Sequence, residues 1–408
     1  MNVLFLGLTE ISDINQSGMY PELLQEFHKN GHHVYCVSTV ERRSGKQTAV
    51  FHSDGSDCLV VRTLNIQKTN LLEKGIGTLL ITNQMKRAIR QYFGDVKFDL
   101  ILYPTPPITL LGVVQYFKER DGAETYLMLK DIFPQNAVDL GMMKKTGALY
   151  RYFRRKERLF YAISDTIGCM SRANVDYVLA HNRGLEGKVE LCPNSVRVQD
   201  AALSEEEKTA LRQKYGLPTD RTIFVYGGNL GRPQGIPFLI DCLRAEKTNP
   251  DAFFLVVGQG TEYKALEKFA ASEQPENFML LSRLPREDYQ RLAAACDVGM
   301  IFLDHRFTIP NFPSRLLSCM QAEVPVLACT DPNTDVGTVI TEGGFGWWAE
   351  SNDTAAFSNA VRAALTADRK ALGQRAKACL KAHYTVEQCY QTIMNSVFQH
   401  PSLTDRGV

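Results

Sequence analysis

The chain has 408 residues, with 46 basic and 45 acidic side chains, a formal net charge of +1, and 44% hydrophobic residues. This composition excludes a wholly disordered chain, and the balanced charge excludes a chain-wide positive field that would recruit nucleic acid. The length predicts two domains of about 200 residues each rather than one core. Ten dispersed cysteines lack the close spacing of zinc or redox sites, which indicates buried thiols in a reducing cytosol.

The first ten residues have no basic segment before their apolar run and reach an acid at Glu10, so a buried strand is expected rather than a signal peptide. The longest apolar stretch, 100–117, is interrupted by Pro104, Pro106 and Pro107. A strand, a turn and a helix fit this stretch better than a membrane span. The expected location is therefore the cytoplasm.

Short apolar runs alternate with helical patterns along the chain. The predicted strands are 3–6, 34–37, 59–61, 100–103, 126–129 and 166–169 in the first half, and 223–226, 253–257, 278–281, 298–302 and 326–329 in the second. This alternation predicts an α/β fold with parallel sheets covered on both faces. Two doubly wound, Rossmann-like domains follow, with residues 1–196 in the first and 197–385 in the second.

A glycine-rich segment lies in the middle of the chain. Five β-prone residues, 222–226, lead into Gly227 and Gly228, and a helical pattern starts at Ile236. A strand, a tight loop and a helix N-terminus leave backbone N–H groups free to bind an anion. The segment matches neither the P-loop pattern nor the dinucleotide-binding fingerprint, which also disfavours a nicotinamide oxidoreductase.

Segments on both sides of this loop carry a resemblance to a known family. They are Lys-Asp-Ile-Phe-Pro-Gln at 130–135, Val-Glu-Leu-Cys-Pro-Asn at 189–194, Phe-Pro-Ser-Arg-Leu-Leu-Ser at 312–318, and Pro-Val-Leu-Ala at 325–328. Together with the loop they resemble family 4 glycosyltransferases, especially the bacterial branch that builds O-antigen and capsule. The resemblance implies the GT-B fold, in which two Rossmann-like domains face a central cleft and a last helix, here 386–399, crosses back to the first domain.

The resemblance also implies a donor site in the second domain that stabilises the departing diphosphate. The implied donor-binding residues are Gly228, Asn229, Gln234, Gly258, Arg283, Leu284, Ser314, Arg315 and Ser318, with the pair Arg283-Leu284 near the base and Ser314-Arg315 at a helix start. Asn229 and Gln234 stand where the family usually has Arg and Lys, and Ser318 replaces a ribose-binding Glu. Arg232 and Arg315 are therefore expected to supply the catalytic positive charge. The alternative is a purely structural role, in which Arg232 is solvated and the glycines serve only to form turns.

In the first domain the resemblance places Ser17 and Gly18 in the loop near the transferred sugar. Lys130 and Asp131 follow a predicted strand and so lie at the carboxyl edge of the sheet. Asp131 could bind an acceptor hydroxyl or steady positive charge on the anomeric carbon, and it is the remaining catalytic candidate. A cap on the following turn is the alternative role.

Residues 144–158 hold seven basic side chains and one acid, Glu157. Leu149, Phe153, Phe160 and Ile163 fall on one helical stripe, so an amphipathic helix with its cations outward is expected. Such a helix can attract an anionic membrane surface, or it can be an ordinary solvated face. The first role would place the protein peripherally at the inner face of the cell membrane.

The resulting expectation is a retaining glycosyltransferase that moves a sugar, expected to come from a UDP-sugar, onto a glycan or polyprenyl-diphosphate-linked acceptor. No Asp-x-Asp occurs and the histidines lack ligand spacing, so neither a metal nor another cofactor is expected. Two alternatives stay open: a GT-B nucleotide-sugar epimerase, and a catalytically silent GT-B subunit. The sugar and the acceptor are not specified by these motifs.

Overall fold

The computed structural model describes residues 1–65, 71–199 and 203–399. The strands of the first sheet are β1 (Asn2–Leu6), β2 (His33–Glu41), β3 (Ala49–Ser53), β4 (Ser56–Thr63), β5 (Leu100–Pro104), β6 (Glu124–Leu129), β7 (Thr166–Cys169) and β8 (Val189–Leu191). Those of the second are β9 (Thr222–Asn229), β10 (Ala252–Gln259), β11 (Phe278–Leu281), β12 (Val298–Phe302), β13 (Val326–Thr330) and β14 (Gly346–Glu350).

The helices cover the sheets and connect their parallel strands. They are α1 (Met19–Lys29), α2 (Leu71–Tyr92), α3 (Leu111–Asp121), α4 (Gln135–Asp139), α5 (Ala148–Ile163), α6 (Arg172–His181), α7 (Glu205–Lys214), α8 (Ile236–Ala245), α9 (Tyr263–Glu273), α10 (Arg286–Ala294), α11 (Arg315–Gln321), α12 (Val336–Glu342), α13 (Thr354–Thr366), α14 (Arg369–His383) and α15 (Val386–Gln399).

The predicted α/β class is confirmed, with two sheets in two compact units. The first unit comprises Met1–Val138, Met143–Arg197 and the segment from Thr385 onward, and the second comprises Asp139–Met142 and Val198–Tyr384. The first sheet has the order β3-β4-β2-β1-β5-β6-β7-β8, and the second has the order β11-β10-β9-β12-β13-β14. Among the strands given above, every pairing is parallel except the β3–β4 hairpin.

Helix α15 packs in the first unit. Its buried side chains recur at helical spacing, from Val386 through Tyr390 and Ile393 to Val397, and they join the core around β1 and α1. Tyr390 Oη lies 2.9 Å from His32 Nε2 on the chain segment before β2. Apolar burial and this polar contact together hold α15 in the first unit.

The expected basic helix starts later than predicted. Lys144 and Lys145 precede α5, which begins at Ala148 after Gly147 at the N-cap. The apolar stripe is only partly buried: Phe160 is buried, whereas Leu149 is 57% exposed. The expectation that this apolar face can pack inward therefore holds at Phe160 and fails at Leu149, because the buried positions of α5 all lie in its second half.

Candidate functional site

The second sheet has a topological switch point between β9 and β12. From β9 the chain proceeds outward to β10 and β11, and then returns to β12 on the other side of β9. Loops diverge at such a point, so a crevice forms at the carboxyl ends of the two strands, where open α/β sheets bind ligands. The loops after β9 and β12 are joined there by a hydrogen bond from Asp304 N to Pro233 O of 3.0 Å.

Glycines allow the strands to approach closely at this edge. Strand β9 extends to Asn229, three residues beyond the predicted end, because Gly228 pairs in register with Gly258 of β10. A Cβ on Gly258 would lie 2.0 Å from the carbonyl oxygen of Gly228. Gly228 itself has φ of +126°, a conformation that side chains with a Cβ rarely adopt. Both predicted donor glycines therefore shape the edge of the sheet.

The two neutral residues of the loop bind each other. Asn229 Nδ2 donates to Gln234 Oε1 at 3.2 Å, and the same oxygen accepts the Gly231 N–H at 3.1 Å. A short 3₁₀ turn, Arg232–Gln234, separates β9 from α8. The amides thus close the loop on itself, which gives a structural reason for neutral side chains at these positions.

Arg232 points into solvent. Its side chain is 60% exposed, and its Nε lies 4.0 Å from Glu262 Oε1 at the start of α9. A surface pair of this kind contributes little to stability.

Arg315, in contrast, is held against the strand edge. Its Nη1 hydrogen-bonds to Tyr226 Oη, and its guanidinium carbon lies 4.7 Å from the centre of the Tyr226 ring. A Cβ on Gly228 would lie 3.4 Å from Arg315 Nη2, so the arginine lies beside this glycine. Within the described ranges no carboxylate pairs with Arg315. The structure thus brings Gly228 and Arg315 together at the switch point.

Tyr226 is a functional candidate that the sequence reasoning missed. It is fully buried in β9, and its hydroxyl donates to Asn229 O at 2.9 Å. Burial raises the pKa of Tyr226, and the nearby Arg315 guanidinium partly offsets this. The neutral phenol thus links the loop carbonyl to the arginine and fixes the position of both.

The other predicted donor residues have varied environments. Ser314 is exposed and makes no capping bond, and Pro313 lies before α11 rather than in its first turn. Ser318 lines a separate cavity of about 390 Å³ together with residues of α7 and α10. Arg283 is exposed, and Leu284 packs on the core below β11.

Asp331, which the sequence reasoning did not select, follows β13 at the same edge. It is fully buried, and its Oδ1 accepts the N–H groups of Asn333 at 3.0 Å and Thr334 at 3.2 Å. Its Oδ2 has no hydrogen-bond partner among the described residues. Burial raises the pKa of Asp331 to about 6, although these N–H groups oppose the shift. Buried acids with raised pKa values are concentrated at functional sites.

In the first unit Asp131 follows β6 at the carboxyl edge of the sheet, as predicted. Asn136 Nδ2 donates to its Oδ2 at 2.6 Å, and Thr105 Oγ1 donates to its main-chain oxygen at 3.2 Å. Burial raises the pKa of Asp131 to about 6, while the Ile132 N–H and the Asn136 amide act in the opposite direction. Asp131 therefore titrates close to neutral pH.

The remaining acceptor-side candidates lie at the same edge. Lys130 is half-buried, and its N–H donates to Thr105 Oγ1 at 3.1 Å. Ser17 is exposed in the segment between β1 and α1. Gly18 occupies the N-cap of α1 with an extended backbone, and its N–H donates to Glu22 Oε1 at 3.1 Å.

Across the described ranges no three His, Cys, Asp or Glu side chains come together as they would around a metal ion. None of the helices in these ranges combines the length and the apolar character that crossing a bilayer requires.

Comparison with known proteins gives a consistent picture. Residues 207–378 match the family model described as glycosyl transferases group 1. The chain is 26% identical over 325 residues to WbjE of Pseudomonas aeruginosa, named as a probable glycosyltransferase, and this alignment covers 78% of each chain. It is 23% identical over 276 residues to WcaI of Escherichia coli strain K12, named for colanic acid biosynthesis, covering 66% of this chain and 67% of WcaI.

Among solved structures, Anabaena HepE in complex with UDP-glucose superimposes with a TM-score of 0.70. The match covers 98% of this chain and 100% of HepE at 15% sequence identity. The fold of the chain is therefore GT-B.

Proposed function

We propose that the chain, a glycosyltransferase whose residues 207–378 match the family model of glycosyl transferases group 1, builds a polysaccharide from a nucleotide-diphosphate sugar. The name of WcaI supports polysaccharide biosynthesis, and the UDP-glucose bound to HepE supports a UDP-sugar as donor. A surface polysaccharide such as capsule or O-antigen is the proposed product. The acceptor is a growing glycan, free or linked to a polyprenyl diphosphate.

The observation that carries this proposal is the position of the Arg315 guanidinium beside Gly228. The Arg315 guanidinium is anchored by Tyr226 and has no acidic partner among the described residues, so it is available to bind the diphosphate in a bidentate manner. The glycine lets the phosphate approach the backbone closely. Charge on the diphosphate grows as the glycosidic bond breaks, and donors fixed in advance stabilise that charge.

The proposed reaction retains the configuration of the anomeric carbon. The bond between that carbon and the β-phosphate oxygen breaks, the acceptor oxygen attacks the same face, and the acceptor proton passes to the leaving phosphate. Glycosylated acceptor and nucleoside diphosphate are the only products, and no metal or cofactor takes part in the proposal. Asp131 binds the acceptor hydroxyl and balances the positive charge that develops on the sugar.

A thermal-shift panel of nucleotide-sugars tests the proposed function. One UDP-sugar is expected to raise the Tm by about 5–10 °C at a hundredfold excess over its Kd, from about 2.7 kcal/mol of linkage stabilisation. Failure of every nucleotide-sugar would favour a silent subunit. Isomerisation or hydrolysis of the donor without acceptor would favour an epimerase or hydrolase.

We also propose that α5 binds the anionic face of a membrane where a lipid-linked acceptor lies. The support is that Leu149 and Leu159 are 57% and 41% exposed on a helix rich in cations. Each cation near such a surface adds about 1 kcal/mol of attraction. The protein is expected to float with phosphatidylglycerol vesicles and not with phosphatidylcholine vesicles, and absence from both fractions would contradict this part.

A further inference from the structure

A cavity of about 620 Å³ lies in the first unit, where α5 ends and the chain turns after α6. Its basic lining residues are Arg158 on α5 and Arg183 and Lys188 in the segment between α6 and β8. The buried side chains of Tyr161 and Leu185 are also part of the lining. The cavity thus combines a dense positive charge with a fixed apolar base.

The charge of this cavity is not neutralised by nearby acids. In the part of the chain that the structure describes, no carboxylate lies within ion-pair distance of Arg158, Arg183 or Lys188. The one acid of α5, Glu157, is buried and accepts hydrogen bonds from Arg154 Nη1 at 2.7 Å and from Tyr161 Oη at 2.9 Å. Arg154 forms the ion pair with that carboxylate. Burial raises the pKa of Glu157, and Arg158 opposes this rise only through a Coulombic attraction that is smaller than that of Arg154.

The walls of the cavity are held in place by hydrogen bonds between elements. Arg154 Nη2 donates to His181 O at 2.9 Å and to Asn182 Oδ1 at 2.7 Å, which ties α5 to the end of α6. Lys188 Nζ donates to Ser164 O at 3.1 Å and so offsets the negative end of α5. The basic side chains therefore project from a fixed frame.

The cavity and Asp131 lie at opposite edges of the first sheet. Lys188 immediately precedes β8, and Ser164 lies just before β7, so the cavity is at the amino edge of the sheet. Asp131 follows β6 at the carboxyl edge of the same parallel array. Strands of four to six residues separate the two edges by roughly 13–20 Å.

We propose that this cavity binds a ligand through a phosphate or diphosphate group, at a site distinct from the donor site. Arg158 and Arg183 supply planar forks that match phosphate oxygens in a bidentate manner. Lys188 adds a third positive charge. The phosphate can belong to a soluble metabolite or to a lipid headgroup, since both present the same oxygens.

Isothermal titration with inorganic pyrophosphate tests the site, with UDP present at saturation to occupy the donor site. The double variant Arg158→Glu/Arg183→Glu is expected to weaken pyrophosphate binding at least tenfold. The matched control is Arg151→Glu/Arg155→Glu, which makes the same charge change on exposed positions of α5 outside the cavity and should retain most of the affinity. No pyrophosphate binding to the wild type, or equal losses in the two double variants, would overturn the proposal.

A vesicle arm identifies the source of the phosphate. If the cavity variant floats less well with phosphatidylglycerol vesicles than the control variant does, the phosphate belongs to a lipid headgroup. If the two variants float equally and only the cavity variant loses affinity for pyrophosphate, the phosphate belongs to a soluble ligand. UDP affinity is expected to be unchanged in both double variants. The donor-site proposal is tested separately by the UDP affinity of Arg315→Ala.

Discussion

Replacing Arg315 by alanine is expected to weaken UDP binding by about tenfold to a hundredfold, measured by isothermal titration. One charge-assisted hydrogen bond contributes about 1.5–3 kcal/mol, which corresponds to that range. The side chain is held by Tyr226 and makes no ion pair with the described residues, so its loss leaves no carboxylate unpaired. Tyr226→Phe keeps the ring but removes the hydroxyl, and a smaller loss of affinity is expected from it.

The control for this experiment is Arg244→Ala on α8. Arg244 pairs on the surface with Asp241 and Glu273, so its removal changes the net charge equally without touching the switch point. The UDP affinity of Arg232→Ala shows separately whether the exposed cation of the loop contributes to UDP binding. Unchanged UDP affinity in Arg315→Ala would remove this residue from the donor site.

The second large effect is expected from Asp131→Asn, which should lower the transfer rate by about a hundredfold to a thousandfold, because the carboxylate stabilises transition-state charge, and leave UDP affinity intact. Asparagine keeps the shape and the oxygen that can accept from Asn136, but it cannot carry the negative charge. Because the pKa of Asp131 is raised to about 6, wild-type kcat/KM should fall about tenfold per pH unit below 6. The residual kcat/KM of Asp131→Asn should not decrease in the same way below pH 6.

The sign of the stability effect separates a catalytic loss from misfolding. Between the unfolded pKa of 3.8 and the folded value of about 6, the native Asp131 binds more protons than the unfolded one. Its contribution therefore favours the folded state at low pH and is lost as the pH rises through this window. At pH 7.5 the Tm of Asp131→Asn should therefore be no lower than the Tm of the wild type.

Asp54→Asn is a matched control in the first unit, because Asp54 is exposed in the turn between β3 and β4 and asparagine suits the turn equally well. Equal activity of Asp131→Asn and this control would show that the Asp131 carboxylate is dispensable. A wild-type rate that stays flat from pH 7 to 5 would contradict the proposed role of its ionised form.

Much of the fold follows from local patterns in the chain. Strands such as 166–169 and 298–302 are confirmed to the residue, since their side chains are buried in parallel sheets that helices cover. Strand β3 was missed because it is a largely exposed hairpin arm beside β4, with little apolar periodicity. The end of β9 was misplaced, because glycines normally signal a turn, whereas here they permit close strand pairing.

The site was less predictable because it depends on contacts between distant residues. Tyr226 looks like an ordinary strand residue, and nothing near it in sequence indicates that its hydroxyl meets Arg315, which is 89 positions later. In the sequence, Asn229 and Gln234 were notable only because the family usually has cations at these positions. Their mutual hydrogen bond is visible only in three dimensions. The burial of Asp331 also depends on tertiary packing, so its raised pKa could not be anticipated.

The most direct test of the donor site is a crystal structure of the protein with UDP bound. We expect a β-phosphate oxygen about 3 Å from the Gly228 nitrogen and from the Arg315 guanidinium, at the carboxyl ends of β9 and β12. A diphosphate bound elsewhere, with Arg315 still held only by Tyr226, would contradict this expectation.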